Sequence, residues 1–178
     1  MTTRIAFLRA VNLGTRTVKM ATIVELVERL GYEQVWTHIN SGNVVFDATG
    51  TRAAIERGLE SKFEGAFGFE VTTFVRTATE LRKAIVVEPF SVGAGDTYFL
   101  TFLKSAPTSA QKRGLERLTN DFDTLVVDGR DVHWRMHGKS TDTKLNTKDW
   151  EGIIGRHQST SRNMTMLRKL VAKVDARG

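Results

Sequence analysis

The chain has 178 residues, of which 40% are hydrophobic and 26% charged, and 26 Lys and Arg against 20 Asp and Glu give a net charge of +6. This length and composition are typical of one full-sized globular domain or two small ones, and they exclude disordered and fibrous chains. The absence of cysteine excludes disulfides, thiolate metal sites and cysteine nucleophiles. No apolar run reaches the roughly 18 residues of a membrane span. Because Arg9 interrupts the apolar N-terminal segment, we expect no secretory leader and a cytoplasmic location.

The first half of the chain alternates strand and helix patterns. Between Met20 and Leu30 the apolar residues recur at helical spacing, and Gly31 follows at a plausible C-terminal position. The predicted elements are a strand over 4–11, a helix over 20–30, strands over 34–39 and 43–46, a helix over 55–63 and a strand over 70–76. The order βαββαβ is that of a ferredoxin-like unit.

The second half repeats the pattern without repeating the residues. The predicted elements are a strand over 97–104, a helix over 110–118, strands over 124–127 and 132–136, and helices over 145–154 and 164–174. Asp128-Gly129 between two of these strands is typical of a type I′ hairpin turn. We therefore predict an α+β fold of two ferredoxin-like βαββα(β) units packed together, over 1–88 and 96–178, with an added C-terminal helix.

Polar side chains gather at one edge of the predicted first sheet. In a ferredoxin-like unit the first two strands run in the same direction, so the end of strand one and the turn between strands two and three share an edge. The residues that this brings together are Arg9, Asn12, Lys19, Asn40, Ser41 and Asn43. Amide, hydroxyl and cationic groups beside a helix N-terminus are typical of phosphate or carboxylate sites. Residues 40–43, Asn-Ser-Gly-Asn, are equally typical of an ordinary hairpin turn without a ligand. An ion pair within the protein would balance the charge of Arg9 as well as a bound anion would.

Two further polar clusters lie in the second half, at residues 138–144 and 160–163. Helix capping by Ser140, Thr141 or Asp142 is the ordinary explanation for the first cluster, and capping also explains the second. Arg162 at a helix N-terminus would oppose the helix dipole, and a bound anion would remove that conflict.

Motifs spread over nearly the whole chain resemble a bacterial family, domain of unknown function 1697. The matching segments are Phe7 to Gly14, Val18 to Met20, Ile39 to Phe46, Pro89-Phe90, Lys144-Leu145 and Thr160 to Asn163. The resemblance implies a compact α/β protein of ferredoxin-like halves and no particular activity. The polar signature of the family falls on Arg9, Asn12, Lys19, Asn40, Ser41, Asn43, Lys144, Arg162 and Asn163. The chain departs from the pattern at Ala10, where Gly is usual, and at Met164, where Trp is usual.

These observations favour a small anionic ligand, such as a nucleotide or a phosphorylated or carboxylated metabolite, and leave open whether the protein is an enzyme. No catalytic acid or base lies in the two N-terminal segments, although His38 is nearby, and we expect no cofactor and no metal. The first alternative is nucleic-acid binding by the basic C-terminal quarter, which two-sided apolar strands disfavour because RNA-binding modules of this type need an open sheet face. The second alternative is an oligomeric scaffold without a ligand site.

Overall fold

A computed structural model describes residues 1–39 and 42–178 of the chain. Its units are Met1–Leu81 and Arg82–Gly178, whereas the sequence-based boundaries were placed at 88 and 96. The boundary between the two units falls after α3 (Ala78–Val86) has begun, and α3 directly follows β4 (Thr73–Thr77). The sequence prediction had no element there, although Thr77 and Glu80 form a reciprocal cap in which each backbone N–H donates to the other side chain, at 2.7 and 3.0 Å.

Unit 1 is a four-stranded antiparallel sheet with two helices on one face. Its elements are β1 (Thr2–Leu8), α1 (Met20–Glu28), β2 (Glu33–Thr37), β3 (Asn43–Ala48), α2 (Arg52–Phe67) and β4 (Thr73–Thr77). The strand order is β2-β3-β1-β4. Ala6, Leu8 and Phe46 alternate with residues of the opposite face and pack against apolar side chains of α1 and α2 such as Ile23 and Leu59. The ferredoxin-like order predicted for this half is confirmed.

Unit 2 has the same strand order. Its elements are β5 (Thr97–Leu103), α4 (Ser109–Glu116), β6 (Asp123–Asp128), β7 (Asp131–Met136), a 3-10 turn (Ser140–Asp142), α5 (Thr147–Ile154), β8 (Ser159–Asn163) and α6 (Met164–Arg177). The sheet runs β6-β7-β5-β8, with α6 packed against β5 and β8. A buried cluster that includes Leu115, Trp134 and Trp150 forms the core under α4 and α5.

Three local predictions for unit 2 need correction. Residues 159–163 form a strand, which the sequence did not predict because the segment contains no apolar residue. The hairpin loop is Gly129-Arg130, since Asp128 pairs with Asp131, and of the two loop residues Gly129 alone has a positive φ, +58°. This is the type II′ pattern rather than type I′. Helix α5 is capped by Asn146 through a capping box with Asp149, and not by residues 140–142.

Both faces of the central strands are buried, as their apolar sequences predict. Ile5 and Phe7 on β1 are as fully buried as Ala6 and Leu8, and on β5 the same holds for the neighbouring residues Phe102 and Leu103, which lie on opposite faces. No helix within residues 1–39 and 42–178 is long and apolar enough to cross a membrane.

Candidate functional site

The end of β1 meets the turn between β2 and β3 at one end of the unit 1 sheet. The Leu8 N–H donates to the Gly42 carbonyl at 2.8 Å, and Phe7 lies opposite Asn43 in the β1–β3 register. The next residue, Arg9, donates its N–H to the Thr72 carbonyl at 2.9 Å. The polar loop over residues 9–19 therefore starts where β1, β3 and β4 converge.

Asn12 closes this polar loop. Its Oδ1 accepts a hydrogen bond from the Val18 N–H at 2.6 Å, and the Arg16 N–H donates to the Leu13 carbonyl at 3.2 Å. These bonds hold the start of α1 close to the residues that follow β1. The Asn12 carbonyl oxygen is thus used for loop closure, and the positions of Arg9 and Lys19 at the two ends of the loop depend on it.

The polar loop is cationic along its whole length. Residues 9–19 include Arg9, Arg16 and Lys19 and no acidic residue. Arg16 lies over the Phe69 ring, 4.2 Å from its centroid, whereas the side chain of the half-buried Arg9 has no hydrogen bond or ion pair with any residue in the described part of the chain. Lys19 is exposed at the N-cap of α1, and that helix has neither a side-chain cap nor an acidic residue in its first turn. The positive end of the helix and the positive charges of Arg9 and Lys19 all favour an anion here.

Asn43 has a structural role in the neighbouring turn. It is fully buried, its Nδ2 donates to the His38 carbonyl at 3.0 Å, and its own carbonyl accepts from the His38 N–H at 3.0 Å. Its side chain therefore fixes the β2–β3 turn that Gly42 completes. The predicted ligand residues Asn40 and Ser41 lie outside the described residues.

The backbone at this end of unit 1 adopts conformations that disfavour ordinary residues. Ala10 and Ile39 have φ values of +54° and +52°. The left-handed conformation costs an L-residue about 1–2 kcal/mol, which explains why glycine suits the position that Ala10 occupies here. Such strain tends to occur at functional sites, where the surrounding structure enforces it.

Lys144 lies in a loop organised by a residue that the sequence analysis missed. Asp123, fully buried at the start of β6, accepts hydrogen bonds from Thr143 Oγ1 (2.6 Å), Trp134 Nε1 (2.9 Å), Asn120 Nδ2 (3.2 Å) and the Lys144 N–H (3.0 Å). Burial by itself would raise the pKa of the Asp123 carboxyl, but these four donors outweigh it and hold the pKa below its usual value. The Lys144 backbone is thereby fixed, while its side chain is exposed.

Arg162 and Asn163 lie on the opposite edge of the unit 2 sheet. Arg162 is on β8 and donates from Nη1 to Thr160 Oγ1 at 2.8 Å and to the Ser161 carbonyl at 3.0 Å, and burial lowers its pKa to about 10. Asn163 caps α6 by accepting from the Thr165 N–H at 2.8 Å. Three strand spacings of about 4.8 Å separate β8 from β6, so Arg162 and the Lys144 loop do not share one site within this sheet.

Metal-binding side chains do not gather in the described residues. Across 1–39 and 42–178, no three His, Asp or Glu side chains are placed to hold a metal ion together. The chemistry that the described groups offer is hydrogen bonding and charge.

The fold and these sites define an α+β protein built from two four-stranded antiparallel ferredoxin-like sheets, with a cationic loop at one end of the first. The chain belongs to the DUF1697 family of proteins of unknown function, whose model matches residues 1–133. It is similar in fold to the conserved bacterial protein SP0830 from Streptococcus pneumoniae, with a TM-score of 0.75 and 19% identity over 98% of this chain and 99% of that chain. No curated protein matches the chain.

Proposed function

We propose that this protein binds a small phosphorylated or carboxylated ligand at the polar loop of unit 1. The observation that carries the proposal is Arg9, a half-buried residue whose cationic side chain has no hydrogen bond or ion pair with the described residues. A cation that is partly removed from water without a partner is costly, and an anion would supply the missing acceptor.

The neighbouring groups support the same ligand chemistry. The exposed Lys19 ammonium and the uncapped N–H groups at the start of α1 lie at the other end of a loop that Asn12 closes. A planar guanidinium can bind two oxygens of a phosphate or carboxylate at once, while an ammonium adds a point charge. Arg9 therefore orients the anion, and Lys19 adds attraction.

The test is calorimetric titration and thermal unfolding of the full chain with orthophosphate, pyrophosphate, adenosine monophosphate and citrate. A ligand at 100 times its Kd raises the free energy of unfolding by about 2.7 kcal/mol, or the Tm by roughly 5–10 °C for a chain of this length. We expect Arg9→Gln to weaken binding of the responding anion at least about tenfold, since a hydrogen bond to a charged group contributes about 1.5–3 kcal/mol. The matched control is Arg29→Gln, because Arg29 is an exposed arginine at the C-cap of α1 whose weak ion pair with Glu25 spans 3.9 Å. Equal binding by wild type and Arg9→Gln would refute the proposal.

The same experiment separates a small anion from nucleic acid. A short single-stranded oligonucleotide that binds through phosphates would lose affinity steeply with salt, with a slope near −0.7 per phosphate neutralised. If only oligonucleotides bind, and Arg9→Gln does not change their affinity, the anion proposal is wrong and nucleic-acid binding replaces it.

A further inference from the structure

Unit 2 contains a cleft that the anion proposal does not use. It has a volume of about 650 Å³ and lies between the segment 88–92, the start of β5 and the start of α6. The side chains that matter for its chemistry are Glu88, Phe90, Asp96, Asn163, Met164 and Arg168. Its volume is within the range of roughly 300–1,000 Å³ that small-molecule sites occupy.

One wall of the cleft, segment 88–92, is held in place by contacts with other residues of unit 2. The Tyr98 hydroxyl donates to the Val87 carbonyl at 3.1 Å, and Arg135 Nη1 donates to the Ser91 carbonyl at 2.6 Å. The Phe90 ring packs edge-on against Tyr98, with 5.1 Å between ring centroids, and the Arg135 guanidinium lies 5.3 Å from the Phe90 centroid. Segment 88–92 is therefore a fixed wall, which reduces the entropy that a ligand must overcome on binding.

Acceptors and donors alternate around the cleft. The Asp96 carboxylate accepts from the Gly93 N–H at 2.7 Å and contacts His137 Nδ1 at 3.1 Å, which leaves further lone pairs for a ligand. Glu88 and Arg168 form an exposed ion pair at 3.8 Å, which is too long for a hydrogen bond, so the acceptors of one and the donors of the other remain open to hydrogen bonds from a ligand. Asn163 adds an amide NH2, because only its Oδ1 is used in capping α6.

The charges of these groups exclude simple ions. An anion would meet the carboxylates of Glu88 and Asp96, and a cation would meet Arg168. A hydroxyl group both donates and accepts, so a neutral ligand with adjacent hydroxyls satisfies carboxylate and guanidinium together. Phe90, which is half-buried, offers apolar surface for the C–H face of a ring. We propose that the cleft binds a sugar through vicinal hydroxyls that bridge Glu88 and Arg168.

The experiment is saturation-transfer NMR on the full chain with D-glucose, D-ribose, N-acetylglucosamine and adenosine as separate probes, with affinities from titration. Transfer to glucose or N-acetylglucosamine would identify a hexose site, whereas transfer to adenosine and ribose alone would identify a site for the sugar of a nucleoside. We expect Glu88→Ala and Arg168→Ala each to weaken binding of the responding probe about tenfold or more. Lys169→Gln is the matched control, because Lys169 is the exposed neighbour of Arg168 on α6.

Three results would overturn the proposal. The first is no transfer to any of the four probes, and the second is binding that neither cleft variant changes while both keep the wild-type Tm. The third is orthophosphate binding at the cleft that Glu88→Ala strengthens, since that would show an anion site. The anion proposal is tested separately, because its variant is Arg9→Gln and its probes are charged.

Discussion

Asp123→Asn removes a negative charge at a fully buried site and replaces one hydrogen-bond acceptor, a carboxylate oxygen, with an NH2 donor. Oδ1 of Asp123 accepts from Thr143 and Trp134, and Oδ2 accepts from Asn120 and the Lys144 N–H. An asparagine has one acceptor and one NH2. If the NH2 faces Asn120 and the Lys144 N–H, two donors lose their acceptor; if it faces Trp134 and Thr143, only the Trp134 N–H does, because the Thr143 hydroxyl can accept instead of donate. Hydrogen bonds to charged groups contribute about 1.5–3 kcal/mol each, so the loss of at least one predicts a destabilisation of at least about 1.5 kcal/mol. Because about 2–4 °C of Tm corresponds to 1 kcal/mol in a chain of this size, the Tm should fall by at least about 3 °C.

Urea unfolding followed by tryptophan fluorescence measures this loss, because Trp134 is itself one of the donors. Asp121→Asn is the control, since Asp121 is exposed two residues away and its substitution should change stability by less than about 0.5 kcal/mol. The loss should also depend on pH. The folded pKa of Asp123 lies below the unfolded value of about 3.9, so its contribution is complete above pH 4 and is lost as pH falls through the folded pKa. If Asp123→Asn unfolds within about 1 kcal/mol of wild type at pH 7, the four-donor arrangement is not what stabilises this loop.

Two further predictions concern the buried histidine and the turn beside the polar loop. Burial lowers the pKa of His133 below its ordinary value of about 6.5, so the unfolded chain takes up this proton first and stability should decline as pH falls from about 6.5 towards the folded pKa. His133→Gln should remove that part of the decline when urea unfolding is compared at pH 7.5 and 5.5. Equal declines in the two proteins would contradict the prediction. Gly42→Ala should cost about 2–4 kcal/mol, because φ is +74° and a Cβ would lie 2.8 Å from Val11 Cγ2. Gly68→Ala, at φ +73° with nothing within 4 Å of the added Cβ, should show only the backbone cost of about 1–2 kcal/mol, and an equal loss in both variants would mean that close packing is not the cause.

Apolar periodicity was sufficient to predict the order of most strands and helices. Val44 and Phe46 are two residues apart on β3 and so lie on one face of the strand. Both side chains pack in the core under the helices, as the period of two predicts. Strand β8 has no such signal, since Ser159–Asn163 contains only polar residues and becomes a strand through pairing with β5. The start of helix α3 could have been predicted, because Thr77 and Glu80 have the sequence spacing of a capping box. A prediction from hydrophobic periodicity alone does not use these polar residues.

Topology predicted which residues approach the end of β1, but not what their side chains do. Asn12 and Asn43 are both amides of the expected site, yet one closes a loop and the other is buried in a turn. That difference depends on loop geometry rather than residue type. Asp123 could not be found from sequence, because an aspartate before a strand is common and its donors come from four positions spread over residues 120–144.

The strand order of unit 1 also constrains how the chain can fold as it is synthesised. The first strand of unit 1, β1, lies between β3 and β4, and its residue Arg4 pairs with Thr77, so during synthesis β1 keeps an unpaired edge until more than 70 further residues have been added. A truncated unit 1 would expose that edge to other chains. Contacts this distant in sequence also slow folding, because the entropy of closing the long loop is lost before the pairing forms.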